Sequence, residues 1–357
     1  MSTTDNLIIN RLLAGVAERG ASDLHLTVGN YPYIRINGGL LILAEETLIN
    51  PELMEAFISF FLPEDKLAIL KAKKELKFIY NWAGKGRLRL HLFQQKGYFS
   101  LSIKLINERL RTLAELGLPK IVSSFAQTLK GLVIVSGPVN SGRSATVAAL
   151  VEAINQTRKE RILYLEEPIE QLFVNQQSVI EQREVESDVA TFAQGLIFAK
   201  EEDINVIAVS RVDGLESLEL ILELAESGRL VIVAMDYDTA ISCLEGLVSD
   251  FPKSKQDWAR SVLAEYLVGV IIQRLLPGVK GGLVLAVEIL TASSSAKSLI
   301  KDGRFANLES IIQTSRAEGM ISLDYSLAAL VKNGQVAEEV ALTQATNPKT
   351  LSAIIKK

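Results

Sequence analysis

The sequence lacks the residues that build disulfide-stapled or zinc-bound folds. Cys243 is the only cysteine in the 357 residues, which excludes an internal disulfide and fits a reducing compartment. The only two histidines, His25 and His91, are too isolated to supply a cluster of zinc ligands. What is plentiful is apolar: 48% of the residues are hydrophobic, which at this length is enough for two packed cores.

Long apolar runs are also missing. The nearest candidate for a membrane span, residues 262–276, is interrupted by Glu265 and Arg274 and is shorter than the roughly 20 residues that a spanning helix needs. The first 20 residues have neither the basic start nor the continuous apolar stretch of a signal peptide. We therefore expect a cytosolic protein without a transmembrane segment.

No excess of basic charge is present. Lys and Arg number 38 against 42 Asp and Glu, so the net charge is -4. A chain with this balance exerts no long-range attraction on a polyanion, which disfavours nucleic acid as a partner.

The front of the chain mixes short strands with helices. Its pattern predicts helices at residues 6–19, 51–61 and 63–73, and strands at 23–28, 33–36, 40–43, 77–82, 87–94 and 98–106, with a turn at Gly84-Lys85-Gly86. We infer an α+β domain over residues 1–106. Residues 107–127 carry a charged turn and a short helix-like segment at 112–116, and we predict that they form a linker.

The rear of the chain has a different pattern, in which apolar strands alternate with longer helices. We predict strands at 132–136, 162–165, 206–209 and 230–235, and helices at 144–156 and 215–226. Buried strands separated by helices are typical of a mostly parallel sheet with right-handed crossovers, so residues 128–357 should form an α/β domain. From residue 255 onward we predict helices and one further strand, 283–290.

A phosphate-binding loop joins the first of these strands to the first helix. The candidate nucleotide-binding residues are Gly137, Pro138, Val139, Asn140, Ser141, Gly142, Arg143, Ser144 and Ala145. Glycines let such a loop curl so that backbone N–H groups and the helix N-terminus face phosphates, while a Ser hydroxyl holds Mg²⁺. A plain glycine-rich turn is the alternative, but the order of strand, loop, cation, Ser and helix favours nucleotide binding.

Arg143 stands where such a loop normally has lysine. It keeps the positive charge, but its guanidinium is planar and bulkier than an ammonium group and does not simply fill the place of a lysine between the β and γ phosphates. The substitution is therefore compatible with binding and unfavourable for the geometry of phosphoryl transfer.

Motifs along nearly the whole chain resemble those of PilT-like type IV pilus retraction ATPases, in the secretion ATPase superfamily. They are Gly20-Ala-Ser-Asp-Leu-His25, Tyr33-Ile-Arg-Ile-Asn-Gly38, Arg87-Leu-Arg89, Glu166-Glu-Pro-Ile-Glu170, Glu181-Gln-Arg-Glu-Val185, Ile312-Gln-Thr314, Gly319-Met320 and Asp324. The resemblance implies a RecA-like rear domain preceded by a PAS-like front domain.

The same resemblance implies a chemistry and an assembly. ATP and Mg²⁺ would bind in a hexameric ring, between each rear domain and the neighbouring front domain, with Ser144 as the Mg²⁺ ligand. Arg87 and Arg89, which alternate with leucines and so share one strand face, would reach the neighbour's phosphates. Glu166 would lie near Mg²⁺ and the attacking water.

Several positions depart from the family pattern. Arg211 occupies the place of the carboxylate that activates water, and Arg229 and Asp236 replace two histidines. Losing a general base costs about 10²–10⁴ in rate. Arg211 has two interpretations: a surface ion pair, with Asp213 or Glu170, or a fixed charge that holds phosphate in the vacated metal position. Asp213 is a minor candidate to replace the lost carboxylate.

Three functions remain open on these residues. We prefer a regulatory or structural subunit, a pseudo-ATPase in a homo-hexamer or in a mixed ring with an active paralogue, attached peripherally to the inner-membrane platform protein of a pilus. The second is a working ATPase that powers pilus retraction and twitching motility, with Glu166 or Asp213 as the base. The third is a binding protein for another phosphorylated ligand.

Overall fold

The computed structural model describes residues 3–82, 86–106 and 109–356. The predicted turn at 84–86 and the start of the predicted linker, residues 107–108, therefore lie wholly or partly outside the described residues. The chain divides into two compact units, one formed by Met1–Arg109 with Glu170–Leu172 and the other by Leu110–Ile169 with Phe173–Lys357. We call them the first unit and the second unit.

The first unit is an antiparallel sheet covered by helices. Its elements are α1 (Thr3–Glu18), β1 (Asp23–Thr27), β2 (Tyr33–Ile36), β3 (Gly39–Ile42), α2 (Pro51–Phe61), α3 (Glu64–Lys73), β4 (Glu75–Trp82), β5 (Gly86–Gln95) and β6 (Tyr98–Ile106). The strand order is β3-β2-β1-β6-β5-β4. In β5, Leu88, Leu90 and Leu92 are buried in one core with residues of α1 and α2, because alternate side chains of a strand point to one face. The predicted α+β class is confirmed.

The second unit contains the larger sheet. Its elements are α4 (Ile121–Gln127), β7 (Gly131–Ser136), α5 (Arg143–Thr157), β8 (Arg161–Glu166), β9 (Val179–Glu184), α6 (Phe192–Glu201), β10 (Val206–Val209), α7 (Leu215–Glu226), β11 (Leu230–Met235), α8 (Ala240–Ser249), α9 (Lys253–Tyr266), β12 (Leu267–Pro277), β13 (Leu283–Thr291), α10 (Ser294–Lys301), α11 (Leu308–Thr314), α12 (Leu323–Lys332), α13 (Glu338–Gln344) and α14 (Pro348–Lys356).

This sheet has the strand order β13-β12-β7-β11-β10-β8-β9, and only β13 runs antiparallel to its neighbour. Both of its faces are covered. In β7, Leu132 and Ile134 point into one apolar core and Val133 and Val135 into the other, so the strand is apolar on both faces. The predicted mostly parallel α/β architecture is confirmed.

Two strands of this sheet were not predicted. β12 lies between β7 and β13, in a region that the sequence analysis assigned to helices, so that assignment is wrong for residues 267–277. A continuous apolar run fits a buried strand as well as a buried helix, and its β-branched Val270, Ile271 and Ile272 favour the strand. β9 was missed because its sequence, VIEQRE, is largely polar, as befits the edge of a sheet.

The segment before β7 also differs from its prediction. Residues 112–116 form a turn closed by a 3.0 Å hydrogen bond from Leu116 N to Thr112 O, and not a helix. Helix α4 lies within the predicted linker and buries Val122, Phe125 and Ala126 in the same core as β7 and α5. Its seven residues are too few for an apolar period to stand out in the sequence.

None of the helices in the described ranges is long and apolar enough to cross a membrane. The apolar run 262–276 is divided between the end of α9 and most of β12, and both are part of the second unit.

Replacing Asp324 by asparagine should loosen the C-terminal helices. The Asp324 side chain is 7% exposed and accepts hydrogen bonds from Thr346 N (2.8 Å) and Asn347 N (3.0 Å), immediately before α14. An amide keeps one acceptor oxygen but turns an NH₂ group toward the second N–H donor. We therefore expect the free energy of unfolding to fall by about 1.5–3 kcal/mol. Urea unfolding and hydrogen exchange of residues 346–356 measure it. Asp302→Asn, which removes an exposed ion pair with Arg304, should change stability by less than about 0.5 kcal/mol.

Candidate functional site

The loop between β7 and α5 has a backbone that curls tightly. Gly137, Asn140 and Gly142 have φ angles of 148°, 66° and 90°, in the region that favours glycine. A Cβ atom on Gly137 would lie 2.3 Å from the carbonyl oxygen of Gln273 in β12, and one on Gly142 would lie 3.5 Å from Leu275. The loop is therefore pressed against β12, and glycine at 137 is required by space as well as by conformation.

The N-terminus of α5 is open toward this loop. Gly142 is its N-cap residue and no side chain caps the helix, which leaves backbone N–H groups of the first turn to bind another acceptor. The macrodipole of the helix adds partial positive charge there, and Ser144 is exposed in the first turn. A curled glycine loop at an uncapped helix N-terminus fits the phosphates of a nucleotide, and Ser144 is the residue that could hold an associated Mg²⁺.

Buried polar atoms without a hydrogen-bond partner gather at this end of the sheet. They include Ser141 Oγ in the loop, Gln273 Oε1 in β12 and Ser210 Oγ after β10. Buried polar groups are normally paired, so each such atom calls for water, an ion or a ligand. Three of them at the carboxyl edge of a parallel sheet agree with a ligand site in the crevice where α/β proteins usually bind ligands.

Arg143 is already engaged by protein groups. Its Nη1 donates to the carbonyl oxygen of Met235 and forms an ion pair with Asp236 Oδ1. The Arg143 side chain is 18% exposed, whereas that of Asp236 is 68% exposed. Because β11 lies directly beside β7, Asp236 is the first residue past the end of the neighbouring strand, and its carboxylate neutralises the cation of the loop.

Ser136, the last residue of β7, fixes the backbone that carries Asp236. Its hydroxyl lies within hydrogen-bond distance of Met235 O (3.1 Å) and Tyr237 O (2.9 Å), which are alternative acceptors for its single proton, and accepts from Tyr237 N (2.8 Å). Ser136 is fully buried, so these bonds are shielded from water. The Met235–Tyr237 segment is thereby held at a set position beside the phosphate loop.

Arg211 follows β10 and is paired with a carboxylate of the acidic box. Its Nη2 lies 2.7 Å from Glu167 Oε2, and its guanidinium lies over the Phe192 ring at 5.6 Å. The ion-pair interpretation named Asp213 or Glu170 as the partner, and the structure corrects this to Glu167. With the Arg211 side chain 54% exposed, the pair is worth no more than about 1 kcal/mol to stability.

The two candidate catalytic carboxylates lie in different surroundings. Glu166 ends β8, is 6% exposed and accepts a 2.9 Å hydrogen bond from Gln182 Nε2. Since β11 and β10 separate β8 from β7, three strand spacings of about 4.8 Å lie between Glu166 and the loop strand. Asp213 is exposed and accepts a hydrogen bond from the Ser217 hydroxyl in the first turn of α7. Its side chain is thereby tied to the N-terminal end of that helix.

Arg229 does not lie in this site. It precedes β11, so it is at the amino end of the strand whose carboxyl end carries Asp236. Its guanidinium donates to Ile204 O (3.2 Å), Lys200 O (3.2 Å) and Glu202 O (3.3 Å), around the end of α6. The two positions that align with the family's histidines, Arg229 and Asp236, therefore lie at opposite ends of β11.

Arg87 and Arg89 converge on one acidic residue in the first unit. Arg87 Nη1 donates to Glu170 O (3.0 Å), Arg89 Nη1 pairs with Glu170 Oε1 (2.8 Å), and Lys104 Nζ lies 3.5 Å from the same oxygen. The two arginines do share a strand face, as their alternation indicates. Their role toward a neighbour's phosphates stays a prediction.

A cavity of about 540 Å³ opens beside Asp236 in the second unit. Its lining includes Val212, Leu215, Leu218, Asp236, Tyr237 and Asp250. Burial, together with the neighbouring Asp250 carboxylate, raises the pKa of the Tyr237 phenol to about 12. The wall of the cavity at Tyr237 therefore presents a neutral hydroxyl. The thiol of Cys243, behind this wall in α8, has its pKa raised to about 12 by burial and is inert.

Gln273 belongs to the site but was not predicted from the sequence. The side-chain amide of Gln273 donates a 2.8 Å hydrogen bond to the Thr146 hydroxyl in α5, and the backbone carbonyl oxygen of Gln273 limits the space at Gly137. The signal available was a glutamine inside an apolar run, but it has meaning only once β12 is known to adjoin β7.

These features define an α/β phosphate-loop protein, and comparison with known proteins gives the family. The family model for type II/IV secretion system proteins matches residues 98–354, so the chain belongs to this family. It is 33% identical over 341 residues to the type IV pilus retraction ATPase PilT of Pseudomonas aeruginosa, covering 96% of this chain and 99% of that protein. A twitching motility protein of Neisseria gonorrhoeae is 32% identical, over 90% of this chain and 86% of the relative.

A solved structure gives the same result. The crystal structure of the pilus retraction motor PilT with bound ADP matches 96% of this chain and 98% of its own, with a TM-score of 0.85 and 33% identity. The chain is thus a PilT-like member of the pilus motor ATPases, and the resemblance stated from its motifs is confirmed.

Proposed function

We propose that this chain is a nucleotide-binding ring subunit that hydrolyses ATP poorly or not at all, and that it acts as a regulatory or structural paralogue of an active pilus motor. The observation that carries the proposal is Arg211, which stands after β10 in an ion pair with Glu167, at the position that the family resemblance gives to the water-activating carboxylate. A guanidinium there accepts no proton from water and repels Mg²⁺.

Binding is proposed separately from hydrolysis. The curled loop, the open N-terminus of α5 and the unpaired Ser141 hydroxyl support phosphate binding by residues 137–145. Bound Mg²⁺ would supply charge neutralisation at the phosphates, and Ser144 would be its ligand. The relative crystallised with ADP supports a nucleotide as the ligand of this loop.

The assembly that we propose follows the family resemblance. The domains would be 1–106 and 128–357, connected by 107–127, whose helix α4 packs in the core of the second unit. They would assemble in a homo-hexamer or in a mixed ring with an active paralogue. Arg87 and Arg89 would contact nucleotide in the neighbouring subunit once Glu170 releases them. The ring would attach to the inner-membrane platform protein of a pilus.

A working retraction ATPase is the second candidate. The observation in its favour is Glu166, a buried carboxylate retained at the carboxyl edge of the sheet. For this function Glu166 would have to activate water from a strand that two others separate from the loop strand.

Equilibrium binding and turnover on the purified full-length chain separate the candidates. We expect a fluorescent ADP analogue to bind with Mg²⁺, and phosphate release from ATP to be at least about 10²-fold slower than that of an active PilT protein. A PilT protein is assayed in parallel to control for the assay conditions. Phosphate release at the rate of that control would overturn the proposal in favour of the retraction ATPase, and saturable binding that weakens in Arg143→Gln would assign the nucleotide to the loop.

A further inference from the structure

Asp236 and Arg143 form a contact that a phosphate would have to break. The Arg143 guanidinium points to the end of β11, where it meets one carbonyl and one carboxylate. An arginine has a fixed fork of donors, so Nη1 has to leave Asp236 before the guanidinium can present both of its Nη groups to a bound phosphate in the loop. The Asp236 carboxylate is thus the anionic partner of Arg143, as a nucleotide phosphate would be if it were bound.

The two partners differ in their freedom to leave this contact. Arg143 is largely enclosed, and the Met235 carbonyl that it binds is fixed by Ser136. Asp236 is mostly exposed and borders the cavity of about 540 Å³, so its side chain has open space to enter. An incoming phosphate would therefore displace Asp236, while Arg143 needs only a rotation of its guanidinium.

We infer that Asp236 is a built-in competitor of nucleotide phosphate for Arg143 and so sets the nucleotide affinity of this subunit. The inference rests on the proposed binding of nucleotide to the loop, but not on whether hydrolysis occurs. It also explains why two departures from the family pattern occur together: the carboxylate at 236 balances the arginine at 143 when no ligand is bound.

Asp236→Asn tests the inference by removing the charge and keeping the shape. We expect fluorescent Mg·ADP to bind about 5- to 30-fold more tightly, the range for losing one partly exposed charged hydrogen bond that opposes binding. Inorganic pyrophosphate, measured by competition, should gain by the same factor, because the effect acts on phosphate and not on the base. Asp236 is mostly exposed, so the variant should fold, and Asp236→Ser provides a second one.

Two comparisons make the result specific. Asp238→Asn removes the same charge two residues away, without a contact to the loop cation, and should change affinity by less than twofold. In an Arg143→Gln background, Asp236→Asn should lose its effect, because there is no cation left to release. An unchanged affinity in Asp236→Asn would overturn the inference. An equal gain with and without Arg143 would replace it by simple repulsion between Asp236 and phosphate.

The failure of this inference is distinguishable from that of the proposed function. The binding measurements use ADP and pyrophosphate and involve no turnover. A chain that hydrolyses ATP rapidly could still show the Asp236 effect, and a chain without turnover could lack it.

Discussion

Arg211→Glu should raise phosphate release from Mg·ATP by about 10²-fold over the wild-type chain, the lower end of what a positioned general base contributes. The substitution places a carboxylate at the end of β10 and releases Glu167 from its ion pair. It thus removes the cation that repels Mg²⁺ and supplies an acceptor for the proton of water. We expect the lower end of the range because Arg143 and Asp236 remain unchanged.

Arg211→Gln is the matched control for this gain. It breaks the pair with Glu167 and removes the positive charge, but it offers no carboxylate, so its phosphate release should stay at the wild-type level. Steady-state release from ATP at saturating Mg²⁺ measures all three proteins. If the glutamine variant gains as much as the glutamate variant, then the loss of the cation is decisive and the general-base argument fails. No gain in either would show that position 211 does not limit turnover.

Gly137→Ala should unfold the loop or abolish its binding of nucleotide. The φ angle of 148° strains any residue with a Cβ by about 1–3 kcal/mol, and contacts at 2.3 Å to Gln273 O and 2.7 Å to Ser141 Oγ add an overpacking cost of similar size. We expect the second unit to lose about 4 kcal/mol of unfolding free energy. Chemical denaturation, followed with titration of fluorescent ADP, measures both effects.

Gly214→Ala separates conformational strain from crowding. Gly214 has a φ angle of 151°, nearly that of Gly137, but nothing lies within 4 Å of the Cβ that it would carry. It should therefore lose only about 1–3 kcal/mol. Equal losses in the two variants would mean that the approach of β12 to the loop contributes nothing.

The fold was largely predictable because most of its elements carry their own pattern. The strands 206–209 and 230–235 and the helix 215–226 have the bounds that their sequences indicate. β12 has no period to read, because it is apolar on two buried faces, which leaves its β-branched residues as the local signal for a strand. Only the pairing of Val270 with Ile134 and of Val270 with Leu290 shows that it is a central strand.

The candidate site also has one part that the sequence predicts and another part that it does not. The loop 137–144 can be found in the sequence because its parts are consecutive. The pairing of Arg143 with Asp236, and of Arg211 with Glu167, depends on which strands are neighbours and where each one ends. The sequence marks these residues as unusual, but it does not show which charge meets which.

These two ion pairs also bear on how such a site changes over generations. Asp236→His alone would leave Arg143 with only a carbonyl partner, and Arg211→Glu alone would set a second carboxylate against Glu167. A change at either position therefore alters an ion pair as well as the chemistry of the site. Substitutions at 236 and 143, and at 211 and 167, should for that reason be accepted in pairs as the sequence diverges.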